Sequence, residues 1–211
     1  DISGKDICDT DVSVLSAQLE GQIKLHIFNA KRVRGAVVLS PILAKMTQLK
    51  ALNLSENYLG FEGVTALASS LEKMVQLETL DLSGNRVEAN GAAALSASLT
   101  RTSNLQTLNL WGNELCDEGV VALSVALAEM VNLRTLGLSR CCVGDAGVTA
   151  LASSLEKMVQ LETMFLRNNK IGNLGAVALA SAIVNTKGLR TLSLGNNPIK
   201  APGIFAIICS L

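Results

Sequence analysis

Aromatic residues are scarce in this 211-residue chain, at 3 %, and charged residues are few, at 17 %. Its core must therefore be aliphatic, and hydrophobic residues make up 49 % of the chain. That content excludes a disordered chain and predicts a large buried interior. An excess of one charge is also lacking, since 18 basic residues balance 18 acidic ones. With no overall field to attract them, nucleic acid and membrane are not expected as partners. No apolar run approaches the ~18 residues of a membrane span. Histidine occurs once, at His26, and no C-x-x-C, H-E-x-x-H, G-x-S-x-G or phosphate-loop signature is present. The chain is thus not expected to be an enzyme, and no catalytic residue, metal ligand or cofactor is expected. The five cysteines (Cys8, Cys116, Cys141, Cys142, Cys209) are odd in number and show no paired spacing. They read as reduced thiols of a cytoplasmic protein.

What is present is a repeat. The pattern L-x-x-L-x-L-x-x-N-x-L starts at Leu49 and returns at Leu77, Leu105, Leu133, Leu161 and Leu189, every 28 residues. Its asparagine position reads Asn57, Asn85, Asn113, Cys141, Asn169 and Asn197. A glycine follows in step at Gly35, Gly63, Gly91, Gly119, Gly147, Gly175 and Gly203, which gives seven repeats. Within each repeat, Leu52 and Leu54 alternate as in a half-buried strand. Gly63 then opens a segment whose Val64, Leu67, Leu71 and Met74 fall on one helical stripe. Such units bury their apolar faces only by stacking, with the strands in one parallel sheet and the helices in an outer layer. Buried asparagine amides would pair the backbone groups left over at each turn, and Cys141 interrupts that column with a weakly bonding thiol.

These residues resemble the leucine-rich-repeat superfamily, in particular its ribonuclease-inhibitor-like members, over about residues 22–211. The resemblance implies an α/β fold: a right-handed solenoid shaped as a horseshoe, with a parallel sheet on the concave face and helices on the convex one. It places the whole of 1–211 in one domain. Residues 1–21 form an N-terminal cap, with an amphipathic helix over 9–20, and Ile23, Leu25 and Ile27 make a slightly out-of-register first strand. The seventh repeat stops at Leu211 with Ile204, Ile207 and Ile208 uncapped, so the natural protein is expected to continue. Relatives of this type include NOD-like receptors, Ran GTPase-activating proteins and tropomodulin, and fold alone does not choose among them.

Comparing the repeats points to one face. Residues 63–79 are identical to residues 147–163, and the identity ends where Leu80-Asp81-Leu82-Ser83-Gly84 stands opposite Met164-Phe165-Leu166-Arg167-Asn168. The helices are copies, whereas the outward strand positions differ in chemistry. One outward column reads Asn53, Asp81, Asn109, Gly137, Phe165, Ser193; the next reads Ser55, Ser83, Trp111, Ser139, Arg167, Gly195. Exposed aromatics beside arginine are the usual material of binding hot spots. Tyr58, Asp81, Asn109, Trp111, Arg140, Phe165 and Arg167 are therefore expected to bind a partner on the concave face. Charge is uneven there: Lys50, Glu56, Glu78, Asp81, Arg86 and Glu114 sum to −2, and Arg134, Arg140, Glu162, Arg167, Lys170 and Arg190 sum to +4. The expected function is protein recognition by a monomer, unless the uncapped C-terminal end associates. The alternatives are a GTPase activator resembling those of Ran, with Arg86 as its arginine, and a cytoskeletal adaptor.

Overall fold

The computed structural model describes residues 14, 27–30 and 39–210. The expected cap helix, Ile23, Leu25, His26, Gly35 and Cys8 lie outside the described residues. Among the described residues, seven strands alternate with seven helices. They are β1 (Ile27–Asn29), α1 (Ser40–Leu43), β2 (Ala51–Asn53), α2 (Gly60–Leu71), β3 (Thr79–Asp81), α3 (Ala89–Leu99) and β4 (Thr107–Asn109). There follow α4 (Cys116–Leu127), β5 (Thr135–Gly137), α5 (Asp145–Leu155), β6 (Thr163–Phe165), α6 (Asn173–Ile183), β7 (Thr191–Ser193) and α7 (Ala201–Ser210). The strands make one parallel sheet in chain order, and Leu52, Leu80, Leu108, Leu136, Met164 and Leu192 sit in register across it. Strands pair at ~4.8 Å, whereas packed helices need about 8–10 Å, so the stack bends with its sheet on the inner side.

Each strand is three residues long because only its central residue and the next alternate one are pulled inward. Leu80, Leu82, Leu108 and Leu110 have no exposed surface. From the helix side, Val64, Leu67 and Leu71 close the same layer, followed by Met74 in the turn beyond α2. The first strand differs from expectation. Phe28 pairs with Leu52 and is buried, whereas Ile27 pairs with Ala51 and is 61 % exposed. The offset here is 24 residues rather than 28, an even change that keeps even-numbered positions inward, so Phe28 points into the core and Ile27 outward.

The asparagine column is a hydrogen-bonded ladder. Asn113 Nδ2 donates to the carbonyls of Leu82 (3.0 Å) and Leu110 (2.8 Å), and its Oδ1 accepts from the amides of Asn85 (3.0 Å) and Val87 (2.9 Å). Each amide thus joins two repeats and satisfies four buried backbone groups. Asn85 and Asn169 repeat the arrangement, and Asn57 donates to Ala30 O. At Cys141 the thiol donates to Leu110 O at 3.1 Å but offers no oxygen to the Asn113 and Leu115 amides. Burial pushes this thiol up to about 12, offset in part by the Asn113 amide beside it.

The glycine column does not open the helices; it lies within their first turns. At Gly147, Gly175 and Gly203 a carboxylate or amide from the preceding repeat takes the space a side chain would need. Asp117 Oδ1 accepts from the Gly144 amide at 2.6 Å, and Asp145 Oδ1 accepts from Gly172 at 2.6 Å and Gly175 at 2.9 Å. The N-termini of α5 and α6 are therefore capped from the neighbouring repeat, where acceptors and negative charge are both favourable. A Cβ at Gly147 would lie 2.7 Å from Asp117 Oδ1, and one at Gly203 would lie 2.9 Å from Asn173 Oδ1. Only glycine leaves room for the cap.

Candidate functional site

Strands β4 to β6 build the most distinctive place on the sheet face. In the column Asn109, Gly137, Phe165, the middle strand supplies no side chain, so a depression opens between its neighbours. Asn109, Trp111, Gly137, Ser139, Arg140, Phe165, Arg167 and Asn168 line an open cavity of about 470 Å³. A Cβ at Gly137 would meet Asn109 Oδ1 at 2.6 Å, so the Asn109 amide already leans over it. Trp111 and Phe165 are 41 % and 40 % exposed, while Leu110 and Leu166 beside them are fully buried. Alternation along the strand thus separates wall from core within one residue.

The outward serine positions depart from expectation. Ser55, Ser83 and Ser139 are buried, whereas Trp111 and Arg167 in the same column project. The serines are drawn down by hydrogen bonds. Ser83 donates both its amide and its hydroxyl to Asp81 Oδ1, at 2.9 and 2.6 Å, and Ser139 Oγ accepts from the Arg167 amide at 3.0 Å. Asn109 repeats the turn by accepting from the Trp111 amide at 3.1 Å, and its Nδ2 donates to Asp81 Oδ2 at 3.1 Å.

The position after this column takes a left-handed backbone at Glu56, Gly84, Gly112, Arg140, Asn168 and Asn196, with φ between 56° and 68°. Gly and Asn adopt it readily and Arg does not. Arg140 is held there with its guanidinium over the Trp111 ring, 5.6 Å from the centroid. Arg86 likewise stacks on Tyr58, at 5.2 Å.

Of the expected residues, the cavity unites Asn109, Trp111, Arg140, Phe165 and Arg167. Asp81 joins them through Asn109, while Tyr58 stands apart with Arg86, 70 % exposed. Gly137, Ser139 and Asn168 were not anticipated. Their signal was the missing side chain in one column and the Gly/Asn-rich column beside it. Two ion pairs, Lys50 with Glu78 at 2.9 Å and Arg134 with Glu162 at 2.5 Å, each lie within one half of the face and leave the charge asymmetry unchanged. Both are exposed, and neither Arg140 nor Arg167 has a carboxylate partner among the described residues. The cysteines are closer than their spacing implied: burial first, then the neighbouring Cys142, raises the Cys116 thiol above its ordinary value.

A stack of strand–helix units with a continuous parallel sheet is the architecture of a solenoid repeat protein. The leucine-rich-repeat family model matches residues 45–68, 76–96, 103–124, 130–152 and 163–180, together just over half of the chain. The chain belongs to the leucine-rich-repeat family. Among solved structures, it is similar to internalin C2 from Listeria monocytogenes, with 21 % identity and a TM-score of 0.62, covering 95 % of this chain and 80 % of that one. It also matches the ectodomain of the Arabidopsis receptor kinase HAESA, with 17 % identity and a TM-score of 0.45, covering 83 % of this chain and 30 % of that one. Such identities speak for the fold alone. No curated protein sequence gives a significant match.

Proposed function

We propose that this chain is a protein-recognition module, and that its partner docks on the concave sheet face around Trp111 and Phe165. The observation that carries this reading is the cavity over Gly137, where two exposed aromatics and two guanidiniums without carboxylate partners surround a polar floor. Aromatic and arginine side chains beside a pocket are what interfaces use as anchors. Nothing in the packing of the fold requires them there, since the equivalent positions of earlier repeats carry Ser55 and Ser83 for Trp111 and Arg167, Asn53 and Asp81 for Phe165, and Glu56 and Gly84 for Arg140. The 28-residue period with a full helical return supports placing the chain among the ribonuclease-inhibitor-like repeats. A cytoplasmic location suits the odd number and unpaired spacing of the cysteines, which read as reduced thiols.

Affinity capture with matched baits tests the reading. Wild type and a convex-face control, Val125→Ala, should retain the same partner, while Trp111→Ala and Phe165→Ala should lose it. Loss with the convex variant and retention with both concave variants would move the interface to the helices.

A further inference from the structure

We propose that the groove takes an extended acidic segment of a protein, seating an apolar side chain over Gly137 and a carboxylate against Arg140 and Arg167. This rests on the concave face being the docking surface and adds the chemistry of the occupant. Charge complementarity carries the inference. The two guanidiniums at the rim have no carboxylate partner among the described residues, whereas Lys50 and Arg134, just before β2 and β5, are paired to Glu78 and Glu162. An exposed guanidinium is a planar fork matched to a carboxylate, and its charge-assisted bonds gain strength beside aromatic walls that exclude water.

The occupant's direction is set as well. Asp81, on β3, accepts hydrogen bonds from Ser83 and Asn109 but faces no cation among the described residues. Strands lie ~4.8 Å apart, so from β3 to β6 is about 14 Å, the reach of about four extended residues. An occupant crossing the strands would therefore set its carboxylate over β5–β6 and keep any basic residue about four positions away, over β3. A single-stranded nucleic acid could also stack on Trp111, but its uniform negative charge would run onto Asp81 and Glu114.

The sole tryptophan provides the readout, because Trp111 is itself a wall of the groove. Three hexapeptides with both ends capped would be titrated against Trp111 emission. Each carries a central leucine, followed by two glutamates, two glutamines or two lysines; a deoxythymidylate hexamer is the fourth probe. The glutamate peptide should saturate the signal and bind at least ~10-fold more tightly than the glutamine peptide, and the lysine peptide should bind weakest. The Arg140→Gln/Arg167→Gln double variant, with an unchanged thermal melt, should erase the glutamate preference. Equal binding of glutamate and glutamine peptides, or a preference that survives the double variant, would overturn the acidic assignment while leaving a concave docking site. Tighter binding of the oligonucleotide would overturn it in favour of nucleic acid. No saturable response to any probe up to about 1 mM would also overturn it, and partner capture with Trp111→Ala would still decide the docking face independently.

Discussion

Asp145 reaches across the repeat boundary to Gly175, its Oδ1 accepting the glycine amide at 2.9 Å where a Cβ would stand only 2.6 Å away. The glycine at 175 is therefore a consequence of the aspartate at 145. Gly175→Ala should destabilise the fold by about 1–3 kcal/mol, since the methyl displaces the cap. Asp145→Ala alone should cost a similar ~1–3 kcal/mol by leaving two helix-start amides unpaired. The double variant should cost clearly less than the sum, because the space and the cap are one interaction. Denaturant melts of the four proteins give the coupling; strict additivity would separate the two residues.

Cys141 breaks the ladder that Asn85, Asn113 and Asn169 make. Cys141→Asn should return an oxygen to the Asn113 and Leu115 amides and raise stability by about 1 kcal/mol. A lower melting midpoint would show that the cavity has closed around the smaller thiol.

The same thiol makes stability depend on alkaline pH. Its folded value of about 12 lies above the ordinary 9.0, so its contribution is complete below pH 9. Between pH 9 and 12 the unfolded chain ionises the thiol first, and stability falls as pH rises. Cys141→Ala, lower in stability overall, should show a flatter decline across that window. Parallel curves for the two proteins would remove Cys141 as the cause.

Arg140 occupies a left-handed conformation at φ 56° and stacks on Trp111. Arg140→Gly relieves roughly 1 kcal/mol of backbone strain and forfeits an exposed cation–π contact of about 0.5–1 kcal/mol. The melt should move little while partner binding weakens. A strong loss of stability would make the stacking, rather than recognition, the reason for the arginine.

How far the sequence discloses this molecule follows from what each position must do in every repeat. Leu80, Leu108 and Leu136 face the same interior, so their column is periodic and plain. Asn113 is equally legible because it satisfies the same four backbone groups in each layer. Ile27 misleads because it is apolar, although counting back from Leu52 by either 24 or 28 residues puts this odd-numbered position on the outward face. Gly63 reads as a helix start, although it stands fourth in a helix that begins at Gly60. The groove was half visible: Trp111 and Phe165 announce themselves, whereas Gly137 contributes by having no side chain. Its meaning depends on what stands on the strands to either side.

The central claim is that Trp111 belongs to the binding face and not to the core. The most direct measurement compares Trp111→Ala with Leu108→Ala, three residues apart, in both a denaturant melt and a partner-binding titration. Leu108 is fully buried, so its truncation should cost about 2–5 kcal/mol through an internal cavity. Trp111→Ala should change stability by no more than about 1 kcal/mol, the worth of its contact with Arg140, yet weaken binding by about 2 kcal/mol or more. If Trp111→Ala instead melts like Leu108→Ala, the tryptophan is scaffold and the account of the groove is wrong.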